Sequence, residues 1–156
     1  MAATILVVED DPAVALALEV ALKGEGYLPL LAATGDKGLE IGLAQAPDLL
    51  ILDVRLPGID GYEVARRVRA DPHLKDIVLV ALTGYGRDED RRAAMAAGFD
   101  YHLVKPVDFQ DLARVLDRLL QFRGLGLGVL ALAQLLLDLA HLLAQHVLAL
   151  AVVELL

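Results

Sequence analysis

Four short, mostly apolar stretches of this chain each stop at a polar residue. Thr4–Val8 ends at Glu9-Asp10-Asp11, Asp48–Leu52 at Asp53, Ile77–Leu82 at Thr83, and Tyr101–Val104 at Lys105. Each predicts a strand, and the β-branched or leucine-rich runs Thr4–Val8 and Asp48–Leu52 are expected to be buried. A fifth run, Tyr27–Ala32, contains Pro29. Proline has no N–H for a ladder, so this strand is expected at a sheet edge. Helical segments fill the gaps. Asp11 is placed to cap a helix that opens at Pro12 and meets the breakers Gly24 and Gly26. Thr34 caps a second helix to about Ala44, and a third runs from Gly61 to about Arg69. The fourth is expected over Arg91–Ala97 with Gly98 as its stop, and Asp108 caps a fifth from Phe109 to about Phe122.

Five strand–helix units in strict alternation predict a doubly wound α/β fold with a parallel sheet and right-handed crossovers. With the second strand at an edge, the flavodoxin-like order 2-1-3-4-5 is favoured, and the first and third strands become neighbours. The strand ends carrying Asp10 and Asp53 then lie side by side at the topological switch point, where open sheets place their sites.

Composition adds a boundary. Residues 1–123 carry all 14 Lys and Arg and 20 of the 22 Asp and Glu, whereas residues 124–156 hold only Asp138 and Glu154 as charges and are rich in leucine. The expected division is a domain over 1–122 and an apolar, helical extension over 123–156. The absence of cysteine excludes a disulfide scaffold, thiolate zinc and cysteine catalysis, and it fits a cytoplasmic setting. A net charge of −8 argues against nonspecific binding to nucleic acid or an anionic membrane. The N-terminus lacks the basic n-region of a signal peptide.

The polar strand ends carry the chemistry. Glu9, Asp10, Asp53, Thr83 and Lys105 converge on one sheet edge in the predicted order, giving an acidic pocket with one ammonium and one hydroxyl. Carboxylates this close repel unless a cation sits among them. Hard oxygen ligands suit Mg²⁺, held by one or two carboxylates plus a phosphate. A carboxylate is also a nucleophile that forms an aspartyl-phosphate, with a lysine and a hydroxyl to stabilise the transferred group.

ILVVEDDP, LLILDVRLPGIDGYE, LVALTGYG and AAGFDYHLVKPVD, in this order and spacing, resemble the receiver domain of response regulators over about residues 3–121. The resemblance implies that Asp53 accepts a phosphoryl group from a phosphohistidine on a histidine kinase or a histidine phosphotransfer protein. It implies Mg²⁺ on Asp10, Asp53 and the backbone carbonyl of Arg55, with Glu9 acting through water. Thr83 and Lys105 would touch phosphoryl oxygens, Gly84 would keep the group reachable, and Lys105-Pro106 would be cis. Such a domain is not an enzyme beyond its own phosphorylation and dephosphorylation, and it contacts proteins rather than nucleic acid. One position departs from the pattern. The switch ring three residues before the lysine is His102 here, not Tyr or Phe, and Tyr101 lies on the opposite strand face. A histidine there either serves as a flat ring, makes the output weaker or pH-sensitive, or is a half-exposed strand residue.

Two enzyme readings fail on particular residues. A haloacid dehalogenase-type phosphohydrolase needs an Asp two residues after the nucleophile, where Arg55 stands. A flavodoxin needs a hydroxyl- and glycine-rich phosphate loop after the first strand, where three acids would repel phosphate. The other alternative is a degenerate receiver that works as an oligomerisation or membrane-anchoring module through its C-terminal helix. In the tail, Gln134, Asp138, His141 and Gln145 form one polar stripe, and a 3-4 pattern runs from Leu132 to Val153. Three readings of it are carried: a helix packed on a partner subunit or on the receiver, a membrane-associated or spanning helix, and an extension with no evolved role. The central Asp138 and the lack of basic residues count against the membrane.

Overall fold

The computed structural model describes residues 2–123, 136–141 and 143–144. Five parallel strands, β1 (Thr4–Val8), β2 (Leu28–Ala32), β3 (Leu49–Asp53), β4 (Val78–Thr83) and β5 (Tyr101–Val104), form one sheet in the order β2-β1-β3-β4-β5. They alternate with α1 (Pro12–Gly24), α2 (Gly35–Gln45), α3 (Gly61–Ala70), α4 (Asp88–Ala97) and α5 (Phe109–Arg123). This is the flavodoxin-like order expected from the position of Pro29. In register with Ile5, Pro29 lies on the edge strand, which has β1 as its one neighbour. The missing N–H therefore costs no internal ladder bond.

The helix starts follow local chemistry. Asp11 accepts hydrogen bonds from the N–H groups of Ala13 and Val14, Thr34 from Lys37, Asp60 from Glu63, and Asp108 from Gln110 and Asp111. Each satisfies donors that a helix N-terminus leaves unpaired. Several boundaries differ from the expected ones: β2 begins at Leu28 rather than Tyr27, and β3 runs from Leu49 to Asp53 rather than from Asp48 to Leu52. Helix α4 begins at Asp88, three residues before Arg91, because Asp88, Glu89 and Asp90 occupy its first turn, where the helix dipole favours acids. Strand β4 begins after Ile77, whose N–H is held by Leu74 O in a turn, and it extends to include Thr83.

Alternation along the strands divides the core. Leu6, Val8, Leu50, Leu52, Leu79 and Ala81 pack with Val64 and Val68 of α3 and Ala94 and Ala97 of α4. Ile5, Val7, Ile51, Val80 and Leu82 are left for the opposite face, together with buried Leu18 and Leu22 of α1 and Leu112 and Leu116 of α5.

The chain forms two compact units, Met1–Leu120 and Gln121–Leu156. In the second, the described residues 136–141 and 143–144 are helical, and Leu136, Leu137, Leu139 and Leu143 are exposed. Of the polar stripe, Asp138 and His141 are described and exposed; Gln134, Gln145 and most of the 3-4 pattern lie outside the described residues. Among the described residues, no helix is long and apolar enough to cross a membrane.

Candidate functional site

The site forms where β1, β3, β4 and β5 end. Val8 is in register with Leu52, and Asp53 with Leu82, so Glu9 and Asp53 end level on β1 and β3 and Thr83 follows one residue later on β4. Gly61 explains how α3 fits against these strand ends. A Cβ there would lie 2.4 Å from Asp53 O and 2.6 Å from Val54 Cα, both backbone atoms that cannot yield. A glycine is required for the helix to start so close to the end of β3.

Glu9, Asp53 and Thr83 are only 2%, 4% and 5% exposed, whereas Asp10 faces solvent. Carboxylate oxygens of Glu9, Asp10 and Asp53 all lie within 4.8 Å of one another. Lys105 reaches in from the end of β5. Its Nζ donates to Asp53 Oδ2 at 2.7 Å and lies 2.9 Å from Glu9 Oε2. The second approach is an ion pair outside hydrogen-bonding angles, so this buried Glu9 oxygen has no hydrogen-bond donor. The other oxygens are held by backbone: Arg55 N–H donates to Asp53 Oδ1 at 2.9 Å, and Asp11 N–H to Glu9 Oε1 at 3.1 Å.

Burial pushes the Glu9 carboxyl above its ordinary value, as does the neighbouring Asp53 charge, against the lowering effect of Lys105 and the Asp11 N–H. Burial works to lower the Lys105 ammonium, but its contacts with Asp53 and Glu9 outweigh that and leave it raised. Lysine thus stays charged while one ammonium serves two carboxylates. Three carboxylates against one ammonium leave the pocket anionic, and the buried Glu9 oxygen has only the ion pair with Lys105 to offset its charge. That donor set fits a hard divalent cation such as Mg²⁺.

Thr83 is at the expected strand end, but its hydroxyl is turned into its own loop. Oγ1 donates to Tyr85 O at 2.7 Å and accepts from Tyr85 N–H at 3.0 Å. A Cβ built on Gly84 meets nothing within 4 Å, so that flank is open. The Lys105-Pro106 bond is cis.

The response regulator receiver domain model matches residues 5–117. The chain belongs to this family. Relatives include the transcriptional regulatory protein AfsQ1 of Streptomyces coelicolor, 42% identical over 73% of this chain and 48% of its own length. An uncharacterised 14.6 kDa protein of Leptolyngbya boryana is 40% identical over 73% of this chain and 87% of its own length. The receiver domain of a sensor histidine kinase from Pseudomonas aeruginosa, solved with a magnesium ion coordinated in its active-site cleft, has a TM-score of 0.73. It is 32% identical and covers 78% of this chain and 99% of that one. The receiver spans about half the length of several curated relatives, among them a DNA-binding regulator of Synechocystis, matched over 46% of its length.

His102 is half-buried on β5 beside α4. Its Nε2 accepts a hydrogen bond from Arg91 Nε at 3.0 Å, which requires a neutral ring with its proton on Nδ1. Arg91 had no signal in the sequence, because the pairing depends on how α4 lies on β5. Burial lowers the affinity of His102 for a proton, and the Arg91 charge lowers it further, below the ordinary 6.5. Among the described residues, Arg91 is the charged group that acts on it. A depressed histidine stabilises the fold fully above pH 6.5 and loses that contribution as pH falls through the folded value. Urea unfolding of the parent should therefore show declining stability below pH 6.5, and His102→Phe should flatten that part of the profile. Parallel profiles for the two proteins would refute the assignment.

Proposed function

We propose that this receiver takes a phosphoryl group onto Asp53 from the phosphohistidine of a histidine kinase or histidine phosphotransfer protein. The carrying observation is that Asp53 has the Lys105 ammonium 2.7 Å away and clusters with the carboxylates of Glu9 and Asp10. A carboxylate oxygen of Asp53 forms the new P–O bond as the P–N bond to imidazole breaks, and the electron pair leaves with the nitrogen. Lys105 and Thr83 hold phosphoryl oxygens. Asp10, Asp53 and the carbonyl of Arg55 hold Mg²⁺, and Glu9 acts through water. When bound, the cation neutralises charge that would otherwise keep an anionic donor out. Water later hydrolyses the acyl phosphate and restores Asp53, so the chain catalyses only its own phosphorylation and dephosphorylation.

Output follows through Thr83 and His102 to protein partners or to a further phosphotransfer step, in the cytoplasm. With all four strand-end positions filled and gathered, a degenerate receiver is not favoured. No nucleic-acid contact is proposed for residues 1–122. For 123–156, we keep the packed helix and contact between copies ahead of a membrane role.

Incubation with Mg²⁺ and acetyl phosphate should add the mass of one phosphoryl group to the parent chain. Asp53→Asn, or EDTA in place of Mg²⁺, should prevent it. No mass gain in the parent would sink the reading.

A further inference from the structure

Thr83 must reach a phosphoryl group on Asp53, yet its one proton is committed to Tyr85 O at 2.7 Å. To donate elsewhere, the hydroxyl has to leave that turn. The ring of Tyr85 is itself held in an unusual way. It is 46% exposed, so burial does not fix it. Two guanidiniums lie over it instead: Arg55 Cζ is 4.6 Å from the ring centroid and Arg87 Cζ is 5.5 Å.

The two arginines come from different loops. Arg55 stands two residues after Asp53, and Arg87 four after Thr83. The Tyr85 ring therefore ties the loop after β3 to the loop after β4 across the site. Helix α4 does not account for the Arg87 side chain, which makes no capping hydrogen bond although Arg87 is at the N-cap. A cation over an exposed ring biases an equilibrium by about two- to five-fold. Two such contacts on one ring give about five- to twenty-fold if they add.

We propose that Tyr85, clamped by Arg55 and Arg87, is a latch that keeps the Thr83 hydroxyl in the loop after β4 and sets how often the unphosphorylated receiver presents it to Asp53. Tyr85 is a positioning residue: it touches no reacting atom and acts through Thr83. The latch rests on the reading of Asp53 as acceptor. When the competent form is a minor fraction, apparent acceptance scales with that fraction. Weakening the clamp should then speed phosphoryl uptake, with Asp53, Lys105 and the acidic cluster untouched.

Three variants of the full chain separate this from a merely structural role. Tyr85→Leu removes the ring face, Tyr85→Phe keeps it, and Arg87→Met removes one cation. All three retain the backbone groups of residue 85 that bond Thr83. Amide hydrogen exchange at residue 85, whose N–H donates to Thr83 Oγ1, measured with no phosphoryl donor, should quicken about five- to twenty-fold in Tyr85→Leu and about two- to five-fold in Arg87→Met. It should match the parent in Tyr85→Phe. Uptake from acetyl phosphate should rise in the same order. Unchanged exchange in Tyr85→Leu would overturn the latch. Faster exchange with unchanged or slower uptake would overturn it as well, since the loosened loop would then not be withholding Thr83. If the parent takes up no phosphoryl group, the acceptor reading fails instead, and the exchange measurement alone decides whether the clamp holds the loop.

Discussion

Lys105→Met should slow phosphoryl uptake by about 10²- to 10³-fold while leaving Asp53 in place, the scale set by deleting one preorganised donor to a developing charge. The ammonium is 2.7 Å from Asp53 Oδ2 and reaches it from a different strand, so its position is set before any ligand arrives. Methionine keeps most of the stem and removes the ammonium with its charge and donors. A stopped assay with acetyl phosphate and saturating Mg²⁺ would measure the effect, and a loss under tenfold would count against direct contact.

The same variant should also be less stable, by about 1–3 kcal/mol near neutral pH, because two buried carboxylates lose their cation. Glu9 already lies above its ordinary 4.5, and without Lys105 it rises further. A carboxyl with a raised value favours the fold below its ordinary 4.5 and loses that advantage as pH climbs through the folded value. The deficit of Lys105→Met should therefore be largest near pH 7 and close below 4.5. A pH-independent deficit would mean that lost packing, not lost charge, is the cause.

Arg69→Met should lower the free energy of unfolding by about 2–4 kcal/mol. Its guanidinium ties together the elements at the opposite end of the sheet. Nε donates to Gly98 O at 2.9 Å, Nη1 to Lys75 O at 2.7 Å and Ile77 O at 2.6 Å, and Nη2 to Asp100 Oδ2 at 2.8 Å. That Asp100 oxygen also accepts Leu79 N–H, so the network fixes the entry to β4. Gly98 belongs to the same arrangement. Its φ is +106°, and a Cβ there would lie 2.7 Å from Arg69 Cγ. Truncating the arginine leaves three carbonyls and a carboxylate short of donors. Because none of these atoms lies at the phosphoryl site, the folded variant should still be phosphorylated at Asp53. Urea unfolding gives the first quantity and intact mass the second; a loss below about 1 kcal/mol would refute the hub.

Some of this was legible in one dimension. Apolar runs ending in polar residues are local patterns, so the five strands, the edge position of Pro29, the caps at Asp11, Thr34 and Asp108, and the gathering of Glu9, Asp10, Asp53, Thr83 and Lys105 could be read from the chain itself. The hand of parallel crossovers and the edge position of Pro29 narrow the strand order and favour 2-1-3-4-5, which is the order found. Helix α4 was read three residues short, since its first turn is acidic rather than apolar and carries no periodic signal.

What the sequence by itself determined, then, is the sheet and the set of groups at its edge. Only the tertiary structure decided how those groups are partnered. It buries Glu9 and exposes Asp10 in one acidic run, turns the Thr83 hydroxyl onto Tyr85, brings Arg91 to His102 and spreads Arg69 over four acceptors. These are contacts between side chains whose separation along the chain carries no period. Their partners are chosen by distance and angle after packing, and no local pattern encodes either.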